Sequence, residues 1–259
     1  MVHQGGAVTI ALGFNCNDGV VLCSDSQITK EGGLKFNESK LDLIALQGVK
    51  ENWAVGITYA GSPEFKKLFM EKFTPAVWAM QPKPSPGEIR ASIERILDDI
   101  HRQHRSSMNL ELLCAISVPP GPNELLVSRN KLVREAQAEC LGAGDSSIVR
   151  YLSELLLSYK LHWKAALQIA VYIVQQAKKF MDGCGGPTEA QVVRNGGIHL
   201  YGDLVTKGLE QYLSLAESEV KRLVQSFADP CISNAEFAEI ADGAAVGLKK
   251  IRVVPEDVR

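Results

Sequence analysis

The sequence lacks the features that mark membrane-embedded and nucleic-acid-binding proteins. Its longest unbroken apolar run extends only from Ile169 to Val174, whereas a bilayer-spanning helix needs roughly 20 apolar residues. Lys and Arg total 28 against 30 for Asp and Glu, a net charge of −2, so the chain has no basic footprint for phosphate binding. We therefore expect neither a membrane nor a nucleic acid as partner.

The start of the chain and its composition indicate a cytoplasmic protein. Met1–Val8 has neither the basic start nor the apolar stretch of a signal peptide. Hydrophobic residues make up 46% and charged residues 22%, which excludes long-range disorder. At 259 residues the chain is at the upper end of what one hydrophobic core supports.

The common motifs for metals, nucleotides and serine nucleophiles are also missing. The six cysteines form no CxxC pair and no zinc-like spacing with histidine, and no Walker loop, GxGxxG or GxSxG occurs. We predict no metal and no cofactor. The cysteines are expected to be reduced and mostly buried, except Cys184, which lies in a glycine-rich turn between Gly183 and Gly186.

Two strands and a tight turn are predicted at the front of the chain. Apolar residues alternate with other types from Val8 to Cys16, and a second strand-like run covers Val20 to Ser26. Asn17-Asp18-Gly19 between them is a hairpin signal.

The loop length of this hairpin determines its register. A three-residue loop with Gly19 in the left-handed conformation would pair Ala11 with Asp25 and Phe14 with Leu22. We favour it because it keeps the Asp25 carboxylate out of the core. Asp25 then shares a face with Thr9 and Gln27, opposite the face that carries Ile10, Leu12, Phe14, Val20 and Leu22.

The remaining elements alternate between groups of strands and pairs of helices. Capping signals at Ser62 and Ser85 predict two helices, and an apolar pattern predicts a long helix at Trp163–Met181. This grouping favours antiparallel sheets with helices outside them over a parallel βαβ fold. The predicted strands are Leu41–Leu46, Trp53–Ala60, Leu110–Val118, Glu124–Val127, Leu132–Cys140, Gln191–Val193 and Ile198–Tyr201.

Four segments resemble the β-type subunits of the proteasome core particle and the bacterial proteasome-like peptidases, which are N-terminal nucleophile hydrolases. They read TIALGF from Thr9, DGVVLCSDSQIT from Asp18, SKLDLI from Ser39 and YAGSPE from Tyr59, and the resemblance extends to Tyr201. It implies an α+β fold, a four-layer αββα sandwich of two antiparallel sheets. The expected organisation is a propeptide-like segment at residues 1–8, the sandwich at 9–205 and a mostly helical extension at 206–259.

The resemblance also implies a catalytic site at Thr9, Asp25, Lys40 and Gly61. Removal of residues 1–8 would free the Thr9 α-amino group, which could activate its own hydroxyl. Lys40 would lower the pKa of that amine, and Asp25 would orient Lys40. The Gly61 N–H would bind the oxyanion, and one such donor is worth roughly 3 kcal/mol.

Three positions depart from the family pattern. Ala143 replaces a serine between Gly142 and Gly144, with Ser146 and Asp145 as nearby polar residues. The late segment Asp182–Gly186 is one residue shorter than in the family and carries Cys184 in place of serine. Val8 stands where the family has glycine before the cleaved bond.

Four functions follow from these residues. The leading one is a threonine peptidase in a homo-oligomeric ring that cleaves peptides or unfolded proteins, with an AAA+ unfoldase as a candidate partner. A non-catalytic ring or scaffold subunit and a small-amide hydrolase are alternatives, and a Cys184–His199 thiol enzyme is a remote fourth. Taken singly, each site residue is more typical of an ordinary structural role. Taken together, with Thr9 and Asp25 expected on one face of the hairpin, the four residues favour the site.

Overall fold

The computed structural model describes residues 9–29, 34–47, 52–80, 83–104, 108–129, 131–142, 147–157 and 161–251. The chain divides into two compact units, Met1–Thr206 and Lys207–Arg259. The predicted propeptide-like segment, residues 1–8, lies outside the described residues, as do Ala143, Asp145 and Ser146.

One five-stranded antiparallel sheet carries the front hairpin at its centre. Its strand order is β10-β1-β2-β11-β12. All neighbouring strands in it are antiparallel. The strands are β1 (Ile10–Cys16), β2 (Gly19–Asp25), β10 (Ala138–Gly142), β11 (Thr188–Arg194) and β12 (Gly197–Tyr201).

A second five-stranded sheet is also antiparallel throughout, with the order β5-β6-β7-β8-β9. A short pair, β3 (Gln27–Thr29) and β4 (Lys35–Asn37), continues from the end of β2. The α+β class and the antiparallel sheets are thereby confirmed, and the four-layer order stays a prediction. The second sheet contains β5 (Asp42–Gln47), β6 (Asn52–Gly61), β7 (Leu110–Ser117), β8 (Asn123–Arg129) and β9 (Leu132–Glu135).

Two helices begin where the capping signals predict them. Ser62 caps the first helix through its hydroxyl, and Ser85 forms a capping box with Glu88 at the start of the second. Within the described ranges, no helix is both long and apolar enough to cross a membrane. The helices are α1 (Pro63–Trp78), α2 (Pro86–Gln103), α3 (Ser147–Leu156), α4 (Trp163–Phe180), α5 (Asp203–Ala228) and α6 (Asn234–Ile251).

The two sheets share one apolar core. Leu22 of β2 and Val193 of β11 belong to the same buried cluster as Leu113 of β7 and Val127 of β8. A second cluster joins the other face of β5–β8 to α1 and α2. In the unit Lys207–Arg259, the rings of Phe227 and Phe237 meet edge to face with centroids 6.0 Å apart.

The predicted hairpin register is wrong. Cys16 pairs with Gly19 across the two-residue turn, so Ala11 lies opposite Ser24 and Phe14 opposite Val21. Our prediction assumed one apolar and one polar face, but both faces of β1 and β2 are covered by protein. Buried residues therefore occur on both sides, and the pattern carried no information about register.

The predicted strand Leu132–Cys140 is two strands. Its first part, β9, pairs with β8 in the second sheet, whereas its last part, β10, pairs with β1 in the first sheet. The chain crosses between the sheets at Ala136 and Gln137, with the Gln137 carbonyl accepting from the Asn15 N–H at 2.7 Å. This crossing brings Gly142 to the start of β1.

Candidate functional site

Thr9 and Asp25 are brought together at the open end of the hairpin. Thr9 immediately precedes β1, and Asp25 ends β2. The Thr9 hydroxyl donates a hydrogen bond to Asp25 Oδ1 at 3.0 Å, and the Ile10 N–H donates to the same oxygen at 3.1 Å. Both side chains are buried. The predicted proximity is therefore present, although it arises from a different register.

Lys40 reaches this pair from the connection between β4 and β5. Its Nζ atom donates to Asp25 Oδ1 at 2.6 Å, to the Gln27 carbonyl at 2.7 Å and to Thr9 Oγ1. These contacts use all three protons of the ammonium group. With 1% of its surface exposed, Lys40 is a buried cation held by its partners, not an edge charge in water.

The glycine-rich turn 183–186 holds Asp25 from the other side. The Gly185 N–H donates to Asp25 Oδ2 at 3.0 Å. The Gly185 carbonyl accepts from the Gln27 N–H at 3.1 Å, and Gln27 Nε2 donates to the Gly183 carbonyl at 3.0 Å. Both Asp25 oxygens are thus engaged, so its carboxylate has a fixed orientation.

Burial and charge oppose each other at this site. Removal from water lowers the pKa of Lys40 from its ordinary value of 10.5, and the neighbouring Asp25 carboxylate partly offsets that effect. Burial raises the pKa of the Cys184 thiol to about 12, with a further contribution from Asp25. A thiol with such a pKa is a poor nucleophile at neutral pH.

Gly61 lies at the end of β6 in a conformation that favours glycine. Its φ is +104°, and a Cβ there would lie 2.3 Å from the Asn109 carbonyl oxygen. Gly142 packs against both the Thr9 carbonyl and Ala60, the residue before Gly61. A Cβ on Gly142 would lie 2.3 Å from the Thr9 carbonyl oxygen and 3.0 Å from the Ala60 Cβ.

The structure therefore joins Thr9, Asp25 and Lys40 by direct contacts. Gly61 has no described contact with these three residues; its neighbour Ala60 packs against Gly142, which in turn packs against the Thr9 carbonyl. Asp182 is exposed, and no described contact joins it to this cluster. His199 is an exposed residue of β12, and no described contact links it to Cys184. The close approaches of Gly142 and Gly185 were not predicted, although both residues belong to glycine-rich turns that the sequence shows.

A cleft of about 580 Å³ lies beside α1. Glu38 and Asp42, which flank Lys40 in sequence, contribute to its lining together with Lys66 and Lys67 of α1. The Lys66 ammonium forms an ion pair with Asp42 at 2.6 Å, and Lys67 is exposed. A molecule bound there would meet both signs of charge.

The described part of the chain contains no group of three or more His, Cys, Asp and Glu side chains arranged to hold a metal ion. No family model and no curated protein matches the sequence.

Solved structures do match the fold. An Anbu Gly-1 mutant from Hyphomicrobium sp. strain MC1 aligns with a TM-score of 0.70 at 12% identity, covering 87% of this chain and 99% of that one. Anbu from Yersinia bercovieri, described as an ancestral β-subunit, has a TM-score of 0.65 at 14% identity over 79% of this chain and 95% of that chain. Anbu from Pseudomonas aeruginosa, solved as a helical assembly, gives 0.64 at 12% identity over 87% and 99%.

These comparisons correct the family expected from the sequence. We expected a β-type subunit of the proteasome core particle or a bacterial proteasome-like peptidase, and that assignment is wrong because the matched structures are Anbu proteins. The four short segments lie around Thr9, Asp25, Lys40 and Gly61, at the front of the chain. They could not distinguish Anbu proteins from subunits of the proteasome core particle or bacterial proteasome-like peptidases. At 12–14% identity the likeness shows a shared fold.

Proposed function

We propose that this chain is an amide-bond hydrolase of the N-terminal nucleophile type that cleaves peptides with Thr9. The observation that carries the proposal is the convergence of the Thr9 hydroxyl, the Lys40 ammonium and the Asp25 carboxylate within hydrogen-bond distance in a buried site. The four-layer αββα arrangement typical of such hydrolases is part of the same proposal.

The first reaction removes residues 1–8. The Thr9 hydroxyl oxygen attacks the Val8 carbonyl carbon and gives up its proton, and the bond from that carbon to the Thr9 nitrogen breaks. The nitrogen takes a proton and becomes an amine, which leaves an ester between Val8 and Thr9. Water then hydrolyses the ester and restores the hydroxyl. Lys40 supports the attack by stabilising negative charge on the oxygen.

Peptide cleavage then uses the freed amine as its general base. The amine accepts the hydroxyl proton as Thr9 Oγ1 attacks the substrate carbonyl, and it later returns a proton to the leaving amine. Water hydrolyses the acyl-enzyme ester. Lys40 keeps the site electropositive, and Asp25 fixes Lys40 through the 2.6 Å contact. The Gly61 N–H is the proposed donor to the oxyanion.

The proposal includes assembly of several copies. The protein from Pseudomonas aeruginosa was solved as a helical assembly of the Anbu complex, and a shared fold supports the same class of homo-oligomer here. Enclosure of the site by neighbouring copies would limit substrates to peptides and unfolded proteins, with an unfoldase as the partner that supplies them. Light scattering tests this part: a monomer would favour the small-amide hydrolase instead.

A covalent probe tests the proposed nucleophile. Peptide epoxyketones react with a hydroxyl and an adjacent free α-amine together, so an adduct requires a released N-terminal threonine. We expect an adduct on a peptide that begins with Thr9, and none in the Thr9→Ala variant. Thr29→Ala, a change on β3, is the matched control and should still react. Absence of an adduct on the purified native protein would contradict the proposal.

A non-catalytic subunit is the second candidate. Val8 is β-branched at the bond to be cleaved, and Cys184 occupies the position of the family's serine as a buried thiol. The first feature favours a chain that retains residues 1–8, and the second favours a turn without the hydroxyl of the family pattern. This candidate predicts an intact N-terminus, an oligomer in solution and no epoxyketone adduct.

A further inference from the structure

Lys178, in the last turn of α4, reaches the segment that holds Asp25. Its Nζ atom donates a hydrogen bond to Thr188 Oγ1 at 2.8 Å and another to the Gly186 carbonyl at 3.2 Å. One side chain therefore connects the end of a helix to two residues of the segment that leads into β11. Lys179, its neighbour in the same last turn, is exposed.

The same segment is bonded to the strand that carries Asp25. The Gly185 N–H donates to Asp25 Oδ2 at 3.0 Å, and the Pro187 carbonyl accepts from the Ser26 N–H at 3.0 Å. These two residues of the segment alternate with the two that bind Lys178. The segment is therefore attached to the site and to α4 by successive residues, so a displacement away from α4 would also loosen the contact with Asp25.

The glycine-rich turn depends on contacts from outside itself. Three of the four residues 183–186 are glycines, and glycine loses more conformational freedom on ordering than any other residue. Hydrogen bonds from a charged donor are roughly twice as strong as those between neutral groups. The Lys178 ammonium supplies one such bond to the turn and a second just beyond it, and both help to offset the cost of ordering the glycines.

Thr188 is held a second time, by the first turn of α5. The Thr206 hydroxyl donates to the Thr188 carbonyl at 2.7 Å, and both residues are buried. Thr188 lies directly opposite Asp25 in the ladder between β2 and β11. The end of β2 that carries Asp25 thus pairs with a residue whose hydroxyl and carbonyl oxygens are fixed by two different helices.

We propose that Lys178 is a positioning residue of the Thr9 site. By holding Gly186 and Thr188, its ammonium keeps the Gly185 N–H directed at Asp25, and Asp25 in turn holds Lys40 at 2.6 Å. Its action on the site runs through the turn and not through the reacting atoms. The hold on the turn stands apart from the proposed reaction, whereas the effect of Lys178 on the rate rests on the proposed function.

Alkylation of Cys184 in the full chain tests this hold, because Cys184 lies inside the turn and is buried. Lys178→Met keeps the aliphatic stem and removes the ammonium, so the turn should open more often and iodoacetamide should label Cys184 about tenfold faster than in the native chain. Lys179→Met removes a charge from the same helical turn and should leave the Cys184 rate unchanged. Cys114, buried in β7, reports global unfolding and should stay unlabelled in both variants.

An unchanged Cys184 rate in Lys178→Met would overturn the proposal. An equal rise at Cys184 and Cys114 would also overturn it, because it would indicate a loss of overall stability and not a local opening. If Lys178→Met does not fold, Thr188→Val and Thr188→Ser provide the comparison, since valine removes the side-chain acceptor of Lys178 and serine keeps it. Faster Cys184 labelling in Thr188→Val than in Thr188→Ser is expected, and equal rates would count against Lys178.

The effect on the site itself is read from kcat and KM. If the native chain cleaves peptides, Lys178→Met should lower kcat roughly tenfold through misplacement of Asp25 and leave KM within about twofold, whereas Lys179→Met should change neither. A turn that opens in Lys178→Met with kcat unchanged would refute the positioning role. A native chain without activity would refute the proposed function instead, and the Cys184 comparison would then decide whether Lys178 holds the turn.

Discussion

The ammonium nitrogen of Lys40 lies 2.6 Å from Oδ1 of Asp25, and the two side chains are 1% and 0% exposed. A pair buried this deeply loses the hydration of both charges, so each group depends on the other and on further hydrogen bonds. Those further partners are Thr9 and Gly185. The pair therefore links the fold of the hairpin to the position of the Thr9 hydroxyl.

Lys40→Met should destabilise the protein strongly. The substitution leaves the Asp25 carboxylate buried without its cation, and the loss of one partner of a buried pair costs about 3–5 kcal/mol. Denaturation in urea measures the free energy of unfolding. Lys72 and Asp99 provide the control, because their ion pair has the same 2.6 Å length but both side chains are 37% exposed. Lys72→Met should cause a much smaller loss, and equal losses would contradict the importance of burial.

In the pH range where folded Lys40 loses its proton, activity should fall as pH rises, whereas the Lys40 contribution to stability should increase. Because burial lowers the folded-state pKa of Lys40 below 10.5, the ammonium charge is lost on the alkaline side before an exposed lysine would lose it. Activity should fall there. Between the lowered pKa and 10.5 the unfolded chain binds more protons, so the Lys40 contribution to stability rises with pH. The difference between native protein and Lys40→Met isolates this contribution, and a falling difference would contradict it.

Gly61→Ala should lower stability, whereas Gly87→Ala should not. Gly61 has φ +104° and the Asn109 carbonyl oxygen 2.3 Å from a built Cβ, so alanine is strained there by roughly 1–3 kcal/mol. Gly87 lies in the first turn of α2 with no atom within 4 Å of a built Cβ. Alanine there should be neutral or stabilising by up to about 1 kcal/mol. Thermal or urea unfolding of both variants compares them directly.

Cys184 should resist alkylation in the folded protein. Its thiol is buried and burial raises its pKa to about 12, whereas Cys231 is exposed. Iodoacetamide at pH 8 followed by peptide mass spectrometry should label Cys231 and leave Cys184 unmodified. Cys184→Ala should retain whatever activity the native protein shows. Rapid labelling of Cys184, or loss of activity in Cys184→Ala with an intact fold, would contradict this prediction and support the Cys184–His199 thiol-enzyme alternative.

The sequence predicted elements better than it predicted their pairing. The helix starts at Ser62 and Ser85 follow from local capping chemistry, which acts over three residues. The register of β1 with β2 does not, because residues on both faces of these strands are buried. Our argument that Asp25 avoids the core also failed: Asp25 is fully buried, with Lys40 and Gly185 as the partners that make burial tolerable.

The candidate site was accessible to sequence reasoning only where its residues are close in the chain. Thr9, Asp25 and Lys40 occur within the first forty residues, and short motifs relate them. Gly142, at the end of β10, and Gly185, in the turn before β11, contact Thr9 and Asp25 from distant parts of the chain. The local sequence around each of these glycines indicates only a glycine-rich turn.

The most direct test of the central claim is the N-terminus of the purified protein. Intact mass and N-terminal sequencing should show a chain that begins at Thr9, while Thr9→Ala should retain Met1–Val8 and Thr9→Ser should still be processed. Processing of this kind, together with peptide cleavage that disappears in Thr9→Ala, is the result we predict. A native chain that keeps residues 1–8 and cleaves no peptide would contradict the account.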